Sequence, residues 1–307
     1  YNTAGGGKYA EYYTPHSIAT IMARLLVGNA KDLHNIECYD PSAGTGTLLM
    51  ALAHQVGEDK CTIYSQDISQ RSNKMLKLNL LLNNLVLSLD KVIQGDTLVN
   101  PYHKSNDGNS LRKFDYVVSN PPFKMDFSDT REKIALQTQR FWAGVPNVPA
   151  KKKESMAIYT CFIQHVINSL KDSGKGAIVV PTGFITAKSG IENKILKKIV
   201  DEKIVSGVVS MPSNVFATTG TNVSVIFFDK SKKDENVRVI LIDASKLGEE
   251  YKEGSNQKRR LRDFEIDKIV DTFLKKEAVE DFSVAVTYNE IIEKGYRSEE
   301  RRVGKEC

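Results

Sequence analysis

Short apolar runs alternate with longer helical patterns through most of this sequence, and this alternation constrains the fold more than any other feature. The strand-like runs lie at 36–40, 62–67, 91–96, 114–119, 176–181, 205–210 and 223–228. The helical patterns among them lie at 47–56, 69–85 and 155–170. Such alternation is typical of βαβ units. The sequence therefore predicts an α/β fold whose sheet is doubly wound, mostly parallel and seven-stranded.

Other features suggest where this domain begins and ends. Thr14-Pro15 reads as a helix start, with Thr as the N-cap and Pro at the first helical position. The segment 124–154 lacks periodicity, and long irregular segments in compact domains tend to be functional or disordered. After Asp229 the chain becomes more charged, with a strand candidate at 237–242 and a helix at 263–275. We expect a main domain over 1–230, an extension over 231–296 and a non-native tail over 297–307.

Composition restricts the class of protein. No apolar run approaches the ~20 residues that span a bilayer, and the N-terminus has no secretory signal, so we expect a cytoplasmic protein without a membrane partner. The four cysteines lie far apart in the sequence, so no metal site is expected. The net charge of +5 is compatible with nucleic acid, and basic residues cluster at Lys151 to Lys153 and around Lys258 to Arg262.

A glycine-containing loop, Asp40-Pro-Ser-Ala-Gly44-Thr-Gly46, follows the first predicted strand and opens a helix. Its two glycines allow a ligand to approach the backbone closely, at the crevice where open α/β sheets bind nucleotides. The loop has no Gly-Lys-[Ser/Thr] ending and no third glycine in dinucleotide-binding register. The carboxylate of Asp40 would repel a pyrophosphate but suits an ammonium group. S-adenosylmethionine, which carries an ammonium and no phosphate, fits this loop.

Two more carboxylates follow the next two strands. Asp67 ends the second strand, where an acid can bind ribose hydroxyls, and Asp96 ends the third, where it could accept a hydrogen bond from the adenine amino group. Asp is also a common turn residue, so neither is diagnostic alone. Acids at the ends of three successive strands, behind this glycine loop, favour S-adenosylmethionine as the cofactor.

The tetrapeptide Asn120-Pro121-Pro122-Phe123 ends the fourth strand and indicates the chemistry. An exocyclic amine on a base is a poor nucleophile because its lone pair is delocalised into the ring. The Asn120 side-chain oxygen and the Pro121 carbonyl can draw the amine hydrogens out of plane, and Phe123 offers a face for an extruded base. Strands one and four are adjacent where a doubly wound sheet reverses order. The methyl donor and acceptor would therefore meet.

These motifs, in this order, resemble the amino-methyltransferases of the gamma class, whose fold is the class I S-adenosylmethionine-dependent type. The stretch from Gly7 to His16 resembles the segment that opens the catalytic domain of Type I modification (methylase) subunits. Val180 to Phe184 and Met211 to Thr221 are also similar to that family. The resemblance implies an N6-adenine DNA methyltransferase. Its partners would be double-stranded DNA and a specificity subunit, and whether a nuclease subunit also takes part is left open.

The resemblance also implies site residues. Together with the residues argued above, the expected cofactor contacts are Glu11, Tyr12, Tyr13, Thr14, Pro15, His16, Asp40, Ser42, Ala43, Gly44, Thr45, Gly46, Asp67 and Asp96. The expected catalytic residues are Asn120, Pro121, Pro122 and Phe123, and Phe216 would be a second aromatic wall for the flipped base. The family usually has a helical region before the Tyr-Thr-Pro segment, which this sequence lacks, so we expect a fragment. Asp67 stands where many relatives carry the longer Glu.

Three alternatives stay open at this point. A methyltransferase acting on protein glutamine or on RNA faces the same chemical problem, so Asn-Pro-Pro-Phe does not exclude it. A self-sufficient Type II enzyme would need a sizeable recognition domain, and the region after Asp229 looks too small for one. A non-catalytic assembly protein would not need an intact tetrapeptide.

Overall fold

The computed structural model describes residues 13–216, 222–231, 236–253 and 256–296. Its strands follow the predicted order closely, although β3 is shorter than expected and β5 begins earlier. The strands are β1 Ile36–Asp40, β2 Cys61–Asp67, β3 Val92–Gln94, β4 Phe114–Ser119, β5 Leu170–Pro181, β6 Val205–Ser210, β7 Val223–Asp229, β8 Val239–Asp243, β9 Glu249–Glu253, β10 Asn256–Arg260 and β11 Ser283–Val286.

Nine of these strands form one sheet in the order β11-β8-β6-β7-β5-β4-β1-β2-β3. Neighbours from β3 to β5 are parallel, whereas β7 runs antiparallel to both β5 and β6. The seven predicted strands are β1 to β7, so the doubly wound, mostly parallel fold is confirmed. The sheet is wider than the seven strands expected, because β8 pairs with β6 and β11 pairs with β8. Strands β9 and β10 form a separate hairpin.

The helices cover both faces of the sheet. They are α1 His16–Val27, α2 Thr47–Val56, α3 Gln70–Leu82, α4 Arg131–Ala135, α5 Tyr159–Asn168, α6 Gly190–Asp201, α7 Asp263–Lys275 and α8 Tyr288–Glu293. One hydrophobic core contains residues of α1, α2, α3 and α7, and the other contains residues of α5, α6 and α8. Successive residues of β5 alternate between the two cores, as expected for a strand that is buried on both faces. Among the described residues, no helix is both long and apolar enough to cross a membrane.

Two local expectations were wrong. Helix α1 has Pro15 as its N-cap, and the Thr14 side chain makes no capping hydrogen bond. The leucine-rich sequence of α3 predicts that its leucines pack in the core, yet only Leu76 and Leu80 among them are fully buried, and Leu78, Leu81 and Leu82 are exposed. Leucine content alone did not reveal which face of this helix meets the sheet.

The division into 1–230 and 231–296 stays a prediction. Within the second stretch, β8 and β11 belong to the same sheet as β1 to β7. Helix α7 is also joined to α1 by an ion pair between Arg24 and Asp267, at 2.7 Å. The described part of this stretch therefore continues the main domain. The predicted tail at 297–307 lies outside the described residues.

Candidate active site

The glycine loop and the Asn-Pro-Pro-Phe tetrapeptide leave adjacent strands at the same edge of the sheet. Strand β1 pairs in parallel with β4, with Tyr39 opposite Val117. The hydroxyl of Ser42, in the glycine loop, lies 2.7 Å from the hydroxyl of Ser119, which is the last residue of β4 and is completely buried. This hydrogen bond joins the glycine loop to the residue that precedes the tetrapeptide. The predicted adjacency of the two motifs is therefore confirmed.

A pocket that opens to solvent lies where these loops meet helix α1, with about 270 Å³ of empty space when the solvent at its mouth is included. It brings together three stretches that are distant in the sequence: the Tyr-Thr-Pro segment, the glycine loop and the tetrapeptide. None of its described lining residues is Lys, Arg or His, and Asp40 is the one charged residue type among them. It is lined by Thr14, Asp40, Ser42, Ala43, Gly44, Thr45, Thr47, Leu48 and Asn120.

Asp40 supplies a buried carboxyl group to this pocket, with only 1% of the residue exposed. Its Oδ1 accepts hydrogen bonds from the Ser42 backbone N–H at 2.9 Å and from the Ser42 hydroxyl at 3.3 Å. Burial raises the pKa of Asp40 to about 8, and the nearby Asp67 carboxylate contributes to the increase while the hydrogen bonds from Ser42 oppose it. A cation placed beside Asp40 would reverse this effect by stabilising the ionised form.

The two glycines of the loop meet different surroundings. Gly44 has φ +52°, and a Cβ there would meet no atom within 4 Å, so it faces open space beside the pocket. Gly46 has φ +87° and is the N-cap of α2. A Cβ at Gly46 would lie 2.2 Å from Leu76 Cδ1, and its positive φ is strained for other residues, so glycine lets the loop pack closely against α3. The structure thus gives Gly46 a packing role, and its cofactor contact stays a prediction.

Asp67 fixes the shape of the glycine loop. Its Oδ2 accepts a hydrogen bond from the Gly44 backbone N–H at 2.8 Å, and its Oδ1 accepts one from the Ser69 N–H at 2.8 Å. A carboxylate oxygen can accept more than one hydrogen bond. Asp67 is therefore positioned beside the loop it was expected to serve, and its ribose contact stays a prediction.

Asp96 begins a tight turn after β3. Its Oδ1 accepts hydrogen bonds from the backbone N–H groups of Leu98, at 2.9 Å, and Val99, at 3.2 Å. The next residue ties this turn to the glycine loop, because the Thr97 hydroxyl donates to the Pro41 carbonyl at 2.7 Å. The turns after β1 and β3 are thus one connected unit, although Asp96 does not line the pocket described above.

Asn120 reaches across the pocket to the start of helix α1. Its side-chain Nδ2 donates to the Thr14 hydroxyl at 3.0 Å, and Thr14 is only 7% exposed. This contact joins the start of α1 to the tetrapeptide. With the amide nitrogen bound to Thr14, the amide oxygen of Asn120 is left to accept from a substrate amine.

The two aromatic candidates differ in exposure. Phe123 is half-buried, and its ring meets Tyr159 edge-on with the centroids 6.2 Å apart. Phe216 is buried within the hydrophobic core that also contains Met211 and Val215. Phe123 is therefore the better placed of the two to receive a base, and both stacking roles stay predictions.

The remaining expected site residues do not line the pocket among the described residues. Tyr13 and His16 are exposed, and Pro15 is half-buried at the start of α1. Pro121 and Pro122 follow Asn120 in an irregular segment, as expected of a loop. Glu11 and Tyr12 lie outside the described residues. The cofactor roles expected of these residues stay predictions.

Sequence reasoning missed several polar residues that shape this site. Ser119 directly precedes the tetrapeptide, and a polar residue at the end of an apolar strand was the available signal. Gln137 and Arg140 both donate to carbonyl groups of the turn that follows Asp96. They lie in the segment without periodicity, which offered no pattern by which to find them.

Comparison with known proteins gives the family of this chain. The family model for N-6 DNA methylases matches residues 1–306. The chain is 28% identical over 301 residues to the Type I restriction enzyme MpnII methylase subunit of Mycoplasma pneumoniae, covering 96% of this chain and 53% of that protein. The chain thus spans about half the length of this relative.

Two solved structures share the fold. One is the methyltransferase subunit of a type I restriction-modification system from Streptococcus thermophilus, with a TM-score of 0.78, 24% identity, and coverage of 96% of this chain and 59% of that chain. The other is a class I S-adenosylmethionine-dependent methyltransferase from Listeria monocytogenes, with a TM-score of 0.56, 20% identity, and coverage of 78% and 68%. These structures support the class I methyltransferase fold. With the family model matching nearly the whole sequence, the chain belongs to the N-6 DNA methylase family.

Proposed function

We propose that this chain is the catalytic region of an S-adenosylmethionine-dependent DNA adenine-N6 methyltransferase of the gamma class. It would be the modification subunit of a cytoplasmic Type I restriction-modification system. The observation that carries the proposal is the pocket in which Thr14, the glycine loop and Asn120 meet. In this arrangement the expected methyl-donor site would lie beside the residue expected to bind the acceptor.

The residues of the pocket fit S-adenosylmethionine. Asp40 offers a buried carboxyl to the ammonium group, while the Ser42 and Thr45 positions add hydroxyls and backbone groups. Asp67 and Asp96, at the ends of the next two strands, would bind the ribose and the adenine amino group. When bound, this cofactor supplies an electrophilic methyl group on a sulfonium.

Asn120 and Pro121 would prepare the acceptor. The Asn120 side-chain oxygen and the Pro121 carbonyl accept hydrogen bonds from the adenine amino group, which draws its hydrogens out of plane and exposes the nitrogen lone pair. Thr14 holds the Asn120 amide in the required orientation through the 3.0 Å contact with Nδ2. Phe123 stacks on the flipped base and keeps it at the mouth of the pocket.

The proposed DNA partner would meet basic residues near the catalytic loop. Lys151 to Lys153 are exposed and belong to the segment that follows the tetrapeptide. In the second basic cluster, Arg259 and Arg262 form ion pairs with Glu250 and Glu265. The first cluster is therefore the better source of phosphate contacts, which position a protein without reading sequence. Base recognition would come from the specificity subunit, and a nuclease subunit would be a further partner.

The test is methyl transfer from tritiated S-adenosylmethionine to double-stranded DNA, with and without a specificity subunit. Analysis of the labelled nucleosides should identify N6-methyladenine, and Asn120→Ala should remove it while calorimetry shows nearly unchanged cofactor affinity. Label in protein glutamine or in RNA would favour the corresponding alternative. Appreciable turnover by Asn120→Ala would refute the role of Asn120. A defined DNA footprint made by this chain alone at physiological salt would favour a self-sufficient enzyme.

A further inference from the structure

The segment that follows the catalytic tetrapeptide folds back onto the turn that follows β3. Within it, the Arg140 guanidinium donates from Nη1 to the Thr97 carbonyl at 3.0 Å and from Nη2 to the Leu98 carbonyl. Gln137 Nε2 donates to the carbonyls of Leu98, at 3.0 Å, and Val99, at 3.3 Å. Two side chains therefore hold three successive carbonyl groups of this turn.

The N–H groups of the same turn hold the Asp96 carboxylate. Leu98 and Val99 both donate to Asp96 Oδ1, so the carboxylate follows the orientation of the turn. Any rotation of the 97–99 backbone would move these N–H groups and the carboxylate with them. By fixing the carbonyls, Arg140 and Gln137 thus fix Asp96.

Arg140 is itself held from the opposite side. It is 7% exposed, and its Nη1 lies 3.2 Å from His165 Nδ1. Because arginine only donates, Nδ1 must accept, which leaves the proton on Nε2, 3.2 Å from the Tyr39 hydroxyl. Both terminal nitrogens of this buried cation thus have acceptors, which offsets part of the cost of burying the charge, whereas Nε has no hydrogen-bond partner. A chain of polar contacts therefore runs from Tyr39, next to Asp40, through His165 and Arg140 to the turn at Asp96.

We propose that Arg140 and Gln137 are positioning residues for the adenine end of the cofactor site. They hold the Asp96 carboxylate where it accepts a hydrogen bond from the adenine amino group. This inference rests on the proposed function, since it takes S-adenosylmethionine as the ligand. It assigns a role to the irregular segment that follows the tetrapeptide, because residues in the middle of this segment support the turn that follows Asp96.

The test compares two ligands that differ by one amino group. Calorimetry would measure the affinity of each protein for S-adenosylhomocysteine and for its analogue with unsubstituted purine in place of adenine. A hydrogen bond to a carboxylate predicts that the wild type prefers the adenine ligand by about tenfold or more. Arg140→Met and Gln137→Leu should each reduce this preference to about threefold or less, with most of the loss in the adenine ligand.

Arg131→Met is the matched control. Arg131 lies in the same segment and donates to the carbonyls of Val145 and Pro146, at 3.3 Å each, without touching the turn at Asp96. Its loss should leave the preference between the two ligands unchanged. Hydrogen exchange adds a readout independent of ligand, because the Leu98 and Val99 amides should exchange faster in the Arg140 and Gln137 variants than in Arg131→Met.

The outcomes separate this inference from the proposed function. Folded Arg140→Met or Gln137→Leu that keeps the full preference would overturn the positioning role. If Arg140→Met does not fold, Gln137→Leu decides alone, since Gln137 is only half-buried. A wild type that binds both ligands equally would overturn the role of Asp96 and leave cofactor binding standing. A wild type that binds neither would contradict the proposed function itself.

Discussion

Asp40 should release a proton when the cofactor binds, because its carboxyl is buried in the pocket that would receive the ammonium group. With the pKa of Asp40 at about 8, about 90% of the folded molecules carry a protonated Asp40 at pH 7. An adjacent cation typically lowers a carboxyl pKa by about 1–3. Binding should therefore ionise Asp40.

The size of the effect follows from linkage. If the pKa falls from about 8 to about 6 in the complex, about 0.8 proton leaves per site at pH 7. The same change predicts that affinity rises about 25-fold between pH 6 and pH 8. In the absence of ligand the free energy of unfolding should fall as the pH rises from the ordinary pKa of 3.8 to the folded pKa of about 8, because the unfolded chain releases the Asp40 proton that the folded protein retains.

Titration calorimetry with S-adenosylhomocysteine, in two buffers of different ionisation enthalpy at pH 7, measures the released protons directly. Asp40→Asn is the control, since it keeps a similar shape and cannot ionise, so its binding heat should not depend on the buffer. Wild-type binding with buffer-independent heat and constant affinity from pH 6 to pH 8 would refute the reasoning. It would mean that Asp40 is ionised before the ligand arrives or lies away from its ammonium group.

Three further predictions concern the pocket and its supports. Gly44→Ala should fold, with a loss of stability of about 1–2 kcal/mol because the backbone there is left-handed, and it should lose cofactor affinity. Gly46→Ala should lose more stability, because its Cβ also meets Leu76. Equal stability of the two variants in urea unfolding would contradict this difference. Phe123→Ala should weaken the binding of a flipped base by about 1–3 kcal/mol, whereas Phe123→Trp should retain much of that binding. The fluorescence of 2-aminopurine at the target position measures base flipping, and wild-type fluorescence with Phe123→Ala would exclude stacking. Burial, followed by the charge of Arg140, lowers the pKa of His165. As the pH falls below about 6.5, the unfolded chain therefore takes up a proton that the folded protein does not. The wild type should lose up to about 1.4 kcal/mol of its free energy of unfolding per pH unit in this range. Chemical unfolding at several pH values should show a smaller loss for His165→Gln, and identical slopes would contradict this account.

Much of the fold could be predicted because the controlling patterns are local. Strands β1, β4 and β6 have the predicted bounds, as do helices α2 and α7. Each is marked by an apolar run or a helical period and bounded by polar residues or glycine. The adjacency of β1 and β4 followed from the general topology of doubly wound sheets. Strand β8 was expected as a strand candidate at 237–242, but its place in the same sheet was not, and β11 was not predicted, so the width of the sheet was underestimated.

In the candidate site, too, some features could be predicted from the sequence and others could not. The sequence alone located the glycine loop, the three strand-terminal acids and the tetrapeptide, because short motifs carry their own chemistry. Only the tertiary structure decided that Thr14 meets Asn120, that Gly46 packs against Leu76, and that Arg140 supports the turn after Asp96. Thr14 and Asn120 are 106 residues apart, and Arg140 lies 43 residues from Thr97. Such contacts depend on how the packed elements bring distant residues together, and no local pattern of side chains encodes that arrangement.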